Sequence, residues 1–167
     1  MRTLHLMRHA KSAWDRPDLS DRERVLNKRG MRDAPRMGIA LANEIAPQCI
    51  AVSPARRAQL TLEGLCSTWP ALAGFDHAIE EPLYTFEAQN LLRWISNQPE
   101  QQHSLFLIGH NPALTELVNE LTGSWTLDNL PTAGYARLSL DLQSWSQVQA
   151  GCSSLERTLF PKQLSKD

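Results

Sequence analysis

Short apolar runs alternate with longer stretches of helical apolar spacing along this chain. Thr3-Leu4-His5-Leu6-Met7 is a compact, largely apolar run that reads as a buried strand of an α/β sheet. The pattern breaks from Lys11 to Ser20, where Asp15, Pro17 and Asp18 mark a loop. Asn27 can cap a helix running to about Ile45, with Met31, Ala34, Met37, Leu41, Ala42 and Ile45 on its apolar face. Pro35 inside that span predicts a kink or a later start. Cys49 to Val52 is a second short strand. Ser53-Pro54 then reads as a capping hydroxyl followed by proline in the first turn, opening a helix with Ala58, Leu62, Leu65, Cys66 and Trp69 facing inward. After a loop at Gly74–Asp76, Ala78 to Leu83 suits an edge strand, because Pro82 would harm a central one. Glu87 to about Asn97 predicts a helix that buries Leu91, Leu92 and Ile95. Ser104 to Ile108 is a strand, and Asn111-Pro112 repeats the cap-and-proline signal before Ala113, Leu114, Leu117, Val118 and Leu121 at helical spacing. A loop from Gly123 to Thr132 precedes strict alternation from Tyr135 to Leu142, the period of a half-buried strand. Trp145 to Val148 predicts one more short strand, and the polar tail after Phe160 a frayed end.

Strand and helix alternate three times before the last strands. That order predicts a single α/β domain over residues 1–167, with a largely parallel sheet and helices on both faces. A chain of 167 residues buries roughly 70% of its unfolded surface, so the core needs no metal or disulfide staple. The formal net charge of −1 gives no global pull toward nucleic acid or anionic lipid. Cys49, Cys66 and Cys152 are odd in number and far apart, which predicts free thiols in a reducing compartment. There is no membrane-spanning run, and Arg8-His9 interrupts the first apolar stretch too early for a signal peptide, so a cytoplasmic location is expected.

Three predicted strand exits carry charged or titratable groups: Arg8-His9, Ser53-Pro54-Ala55-Arg56-Arg57, and Gly109-His110-Asn111-Pro112. Ligands of open α/β sheets bind at that edge. Taken singly, Arg8-His9 also reads as a surface arginine beside a packed histidine, and His110 as a core histidine. Arg57 falls in the first turn of its helix, where a cation opposes the helix dipole at a cost of about 0.3–1 kcal/mol. A bound anion removes that conflict, because free backbone N–H groups and the guanidinium both point at it; the alternative is a side chain that snorkels into solvent. Gly109 allows close backbone approach beside His110. Taken together, two arginines and two imidazoles suit a phosphoryl group. Planar guanidiniums grip its equatorial oxygens, one imidazole attacks phosphorus, and the other donates hydrogen bonds. His5, four residues before His9, lies on a strand rather than a helix and forms no metal pair with it; His77 and His103 read as solvated.

These segments resemble known motifs. Arg8-His9-Ala10 resembles the Arg-His-Gly signature of the histidine phosphatase superfamily, whose fold is phosphoglycerate-mutase-like. Ser53-Pro54-Ala55-Arg56-Arg57-Ala58 with Thr61 is similar to its second motif, and Gly109-His110-Asn111-Pro112 to its third. Ser20 to Asn27 with Gly30 is similar to a segment of the small SixA-type phosphohistidine phosphatases. The resemblance implies that His9 is the nucleophile and is transiently phosphorylated, and that Arg8, Arg57 and His110 form the phosphate pocket. Arg24 matches an arginine of the SixA-type segment and is a further phosphate-binding candidate. The departure is Ala10 in place of glycine, which would be strained if the position needs φ > 0.

Larger members of the superfamily protonate an alkoxide with a carboxylic acid. Glu80, Glu81 and Glu87 lie in the right region as weak candidates, and none stands in a motif. A site without a strong acid suits phosphohistidine, because a protonated imidazole leaves easily and an alkoxide does not. The sequence therefore predicts a metal-independent phosphatase without a cofactor. It acts through a phosphohistidine enzyme intermediate on a phosphorylated protein of the histidine phosphotransfer type, and not on nucleic acid or membrane. Two alternatives stand beside it: a phosphatase of small-molecule phosphate esters, and a phospho-binding module without turnover. The oligomeric state is open. Attack requires neutral His9, so activity is expected to fall in acid.

Overall fold

Alternation within two strands decides where the helices sit. In β1 (Arg2–Arg8) Leu4 and Leu6 face one side and Met7 the other; in β4 (Ser104–Gly109) Leu105 and Leu107 oppose Phe106 and Ile108. Both strands are therefore apolar on both faces, as central strands of a covered sheet must be. The computed structural model describes residues 1–164. Its remaining elements are α1 (Lys28–Ala42), β2 (Ala51–Val52), α2 (Arg56–Thr68), a short α3 (Pro70–Ala73), β3 (Ala78–Ile79), α4 (Ala88–Ser96), α5 (Ala113–Thr122), β5 (Tyr135–Leu140) and β6 (Ser153–Leu159). The sheet order is β3-β2-β4-β1-β5-β6. The first four positions run parallel, and β5 and β6 are antiparallel. On one face α1, α2 and α3 bury Met37, Leu41, Leu65 and Leu72 against Met7, Phe106 and Ile108. On the other, α4 and α5 bury Leu91, Ile95, Leu114, Leu117 and Leu121 against Leu4, Leu6, Leu105 and Leu107. The predicted fold class, largely parallel with both faces covered, is the observed one. No helix among the described residues is long and apolar enough to cross a membrane.

Several local expectations are corrected. α1 begins at Lys28 and runs through Pro35 rather than starting later, because Asn27 Oδ1 accepts from the Gly30 N–H at 2.9 Å and secures the first turn. Met31 and Ala42 lie on its exposed side. Ser53 does not cap α2; the helix starts three residues later, after Ala55, without a side-chain cap. β3 is the predicted edge strand but stops at Ile79, and Glu81–Leu83 form a 3₁₀ turn around Pro82. Trp145–Gln147 is a 3₁₀ turn instead of a strand: Ser144 and Gln147 cap each other, and the buried Trp145 donates Nε1–H to Gln102 O at 2.6 Å. β6 has no counterpart among the predicted elements. It is an outer strand whose exposed sides carry Glu156 and Arg157, so the pairing with β5 rather than an apolar period makes it. Pro161–Gln163 is a 3₁₀ turn with Pro161 buried, so the chain is ordered beyond Phe160; the rest of the predicted frayed tail, residues 165–167, lies outside the described residues.

Candidate active site

Parallel register brings the three exits together. Arg8 stands opposite Gly109 and Val52 opposite Ile108; the His9 N–H donates to Gly109 O at 3.1 Å, and the Ser53 N–H to Ile108 O at 3.1 Å. The His9 and His110 rings consequently sit 5.2 Å apart between centroids. Arg57, in the first turn of α2, reaches both: its Nε–H points at His9 Nε2 and its Nη2–H at His110 Nδ1, each over 3.4 Å. Arg57 is 1% exposed, so the alternative in which it snorkels into water does not hold.

Hydrogen bonding sets the state of each ring. The carbonyl of Ala10 can only accept, and it lies 2.7 Å from His9 Nδ1. Nδ1 therefore carries the proton, and the Nε2 lone pair faces the pocket. Burial holds His9 down at about 3; the Ala10 carbonyl pulls upward, but His110, Arg57 and Arg8 add to the burial. His110 is held at about 3 by burial and then by Arg57. Its Nε2 lies 2.7 Å from Ser53 Oγ, which also accepts the Ala55 N–H at 3.2 Å. Arg57 can only donate, so His110 Nδ1 accepts from Nη2–H and Nε2 carries the proton, donated to Ser53 Oγ. The Ser53 hydroxyl read as a helix cap is thus the partner of the second histidine. The Tyr84 and Phe86 rings pack on His110 at 5.5 and 5.6 Å.

Arg8 and Arg24 are the two remaining candidate arginines. Arg8 donates Nη1–H to Leu130 O at 3.1 Å, the oxygen that Asn111 Nδ2 also reaches at 2.9 Å, and its Nε is buried without a hydrogen-bond partner among the described residues. The Arg24 side chain is largely buried. It bonds Ser12 Oγ and Asp21 Oδ1, its own buried Nε is also unpartnered, and its guanidinium lies 3.7 Å over the exposed Trp14 ring. Arg24 and Arg8 both disfavour a charged His110 electrostatically. Two side chains absent from the predicted site belong to it. Asp21 takes Arg57 and Arg24, and Tyr84 donates its hydroxyl to Asp21 Oδ2 at 2.6 Å. Asp21 stands in the SixA-like segment, but only the folded chain shows that its carboxylate meets Arg57.

The three glutamates do not deliver an acid to the imidazoles. Glu81 is bidentate to Arg22 at 2.6 and 2.8 Å, Glu80 lines a hollow with Gln48, Ala51 and Trp94, and Glu87 is exposed before α4. His5 is bonded to Tyr135 Oη at 2.7 Å and Ser104 Oγ at 3.1 Å, inside the core. His77 is not solvated as predicted: Nδ1 accepts the Ile50 N–H at 2.9 Å, and Nε2 donates to Leu72 O at 2.9 Å. Ala10 is buried and donates its N–H to Thr61 Oγ1 at 2.8 Å. It does not have positive φ; among the described residues Ala133 is the non-glycine residue that does, so the expected strain is absent at Ala10. Gly109 is not forced by space either, since a Cβ there would meet Leu83 O only at 3.8 Å.

Similarity to known proteins agrees with this geometry. The sequence profile of the Histidine phosphatase superfamily (branch 1) matches residues 4–102, which hold Arg8, His9 and Arg57 and stop short of His110. An uncharacterized chloroplastic protein of Arabidopsis thaliana is 30% identical over 160 residues, 89% of this chain and 71% of that protein. An uncharacterized protein of Mycobacterium leprae is 28% identical over 170 residues, 93% of this chain and 100% of the other. Among solved structures, one assigned as the phosphohistidine phosphatase SixA of Agrobacterium tumefaciens superposes with a TM-score of 0.79 at 27% identity, covering 96% of this chain and 98% of that one. The protein histidine phosphatase SixA complexed with tungstate shares the fold, with a TM-score of 0.77 at 22% identity over 98% and 99% of the two chains. Matching in profile, in fold and in the order of its motifs, the chain belongs to the histidine phosphatase superfamily and is a phosphatase of the SixA type.

Proposed function

We propose that this chain is a metal-independent phosphatase that carries the phosphoryl group on His9 and takes it from phosphohistidine in a protein of the phosphotransfer type. The observation that carries the reading is the His9 Nε2 lone pair, held outward by the Nδ1–H bond to Ala10 O and facing the Arg57 donors and His110. Arg8, Arg57 and His110 bind the equatorial oxygens and stabilise their charge during transfer, with Arg24 as a further cation. In the first step Nε2 attacks phosphorus as the substrate P–N bond breaks. The departing ring, protonated on its other nitrogen, leaves as neutral imidazole with the P–N electron pair. In the second step water attacks phosphorus, the Nε2–P pair returns to His9, and the water proton passes to phosphate and solvent. This substrate suits the site because Asp21 is held ionised and Glu81 is tied to Arg22, so a leaving group that needs no external acid has the advantage.

We place the enzyme in the cytoplasm as one unit over residues 1–167, a reading supported by its free Cys49, Cys66 and Cys152. The test is His9→Ala. It is expected to abolish turnover of a phosphohistidine protein and of para-nitrophenyl phosphate, together with acid-labile phosphoenzyme in a quenched wild-type reaction. Retained turnover would refute the role of His9. A substrate panel favouring small esters over phosphohistidine protein would reassign the substrate class.

A further inference from the structure

The guanidinium of Arg57 has an inner and an outer edge. Its inner edge, Nε and Nη2, faces His9 Nε2 and His110 Nδ1. Its outer edge is gripped by a single residue: Nη1 donates to Asp21 O at 2.6 Å and Nη2 to Asp21 Oδ2 at 3.1 Å. The carboxylate is itself held twice more, by Tyr84 Oη on Oδ2 at 2.6 Å and by Arg24 Nη2 on Oδ1 at 2.9 Å. The segment around it is tied down as well. Arg22 O accepts the Arg56 N–H at 2.8 Å, and the Arg22 guanidinium is bidentate to Glu81.

We propose that Asp21 is the positioning residue of the phosphate pocket, fixing the outer edge of Arg57 so that its inner edge stays aimed between the two imidazoles. The physical need is clear from the neighbours. Two neutral rings accept only long hydrogen bonds from Arg57, and the cations Arg8 and Arg24 repel it, so an anion on its outer side is what offsets the burial of a guanidinium that is 1% exposed. Asp21 is half-exposed and remains ionised, because the hydrogen bonds from Tyr84 and Arg24 and the Arg57 charge outweigh its partial burial. A carboxylate in this place has a second conceivable effect, competition with the incoming phosphoryl group for Arg57. The two have opposite signs. Positioning makes removal of the carboxylate weaken oxyanion binding; competition makes it tighten.

The assignment rests on the proposed role of the pocket, and binding of inorganic vanadate tests it without turnover. Asp21→Ala is expected to weaken vanadate binding by about fivefold, the scale of a half-exposed ion pair, and to raise KM for para-nitrophenyl phosphate alongside. Asp21→Asn keeps an acceptor oxygen but loses the charge, and is expected to weaken vanadate binding in the same direction by less than Asp21→Ala. Tyr84→Phe, which leaves the fold least disturbed, is expected to shift vanadate affinity in the same direction by less, and to add nothing on top of Asp21→Ala. Tighter vanadate binding by Asp21→Ala overturns the proposal in favour of competition. Unchanged vanadate affinity and KM, with only less phosphoenzyme trapped per chain, overturns it in favour of a merely structural role. A wild-type protein that forms no phosphoenzyme while Asp21→Ala still weakens vanadate would sink the turnover reading and leave this assignment standing.

Discussion

Single residues in this pocket act through which nitrogen they leave free. Ala10 shows how little local substitution disturbs that. Its carbonyl fixes the His9 tautomer and its N–H meets Thr61, both of which are backbone functions that alanine and glycine perform alike. The methyl group, however, is fully buried in the face packed by α1 and α2. Ala10→Gly is therefore expected to keep kcat/KM within about twofold while lowering stability by about 1–2 kcal/mol, from the lost methyl burial and the freer unfolded backbone. Urea denaturation beside a turnover assay checks both halves. At this scale Arg8, His9, Arg57 and His110 were legible in the sequence, because each sits in a short motif beside an apolar run. Asp21, Tyr84 and the real partner of Ser53 were not, since their roles are contacts between segments 36 to 63 residues apart.

Among the elements, the approach of α1 and α2 decides where Arg57 stands. Two glycines allow the helices to meet nearly backbone to backbone. A Cβ on Gly38 would lie 2.3 Å from Thr68 Oγ1 and 2.6 Å from Leu65 O, and one on Gly64 would lie 2.5 Å from the Ala34 Cβ. Thr68 adds a hydrogen bond to Pro35 O at 2.6 Å, at the very residue expected to break α1. Gly38→Ala should destabilise the protein by about 1–3 kcal/mol through overpacking, despite the better helix propensity of alanine. A thermal or urea midpoint equal to wild type would show that the helices can separate at no cost. Strands with a double-sided or alternating apolar pattern, β1, β4 and β5, were readable. β6 was not, because an outer antiparallel strand is stabilised by pairing with its neighbour and needs little apolar pattern of its own.

For the molecule as a whole, three buried histidines link folding to pH. Burial holds His5 at about 4, with Arg137 adding to it, and His9 and His110 at about 3, whereas the unfolded chain takes up their protons near 6.5. Between those values the unfolded state binds more protons, so stability is full above about pH 6.5 and falls as the pH drops toward 4. The urea midpoint measured at pH 7, 5.5 and 4.5 should decline monotonically, and a constant midpoint would contradict neutral burial. The free enzyme's nucleophile stays neutral through the same range. The acid loss of kcat/KM, expected from an ordinary imidazole to set in above pH 4, is therefore moved to lower pH by the burial of His9, and a fall centred near 6.5 in protein that is still folded would contradict a neutral, buried nucleophile.

The sequence by itself determined the alternation of strands and helices, the three charged exits and the residues they carry, because apolar period and short motifs are local properties of a chain. Only the tertiary structure decided that the exits coincide, that Arg57 is buried between two neutral imidazoles, and that Asp21 holds its far side. Those facts depend on parallel register and on close helix packing, which bring together side chains that no local pattern connects.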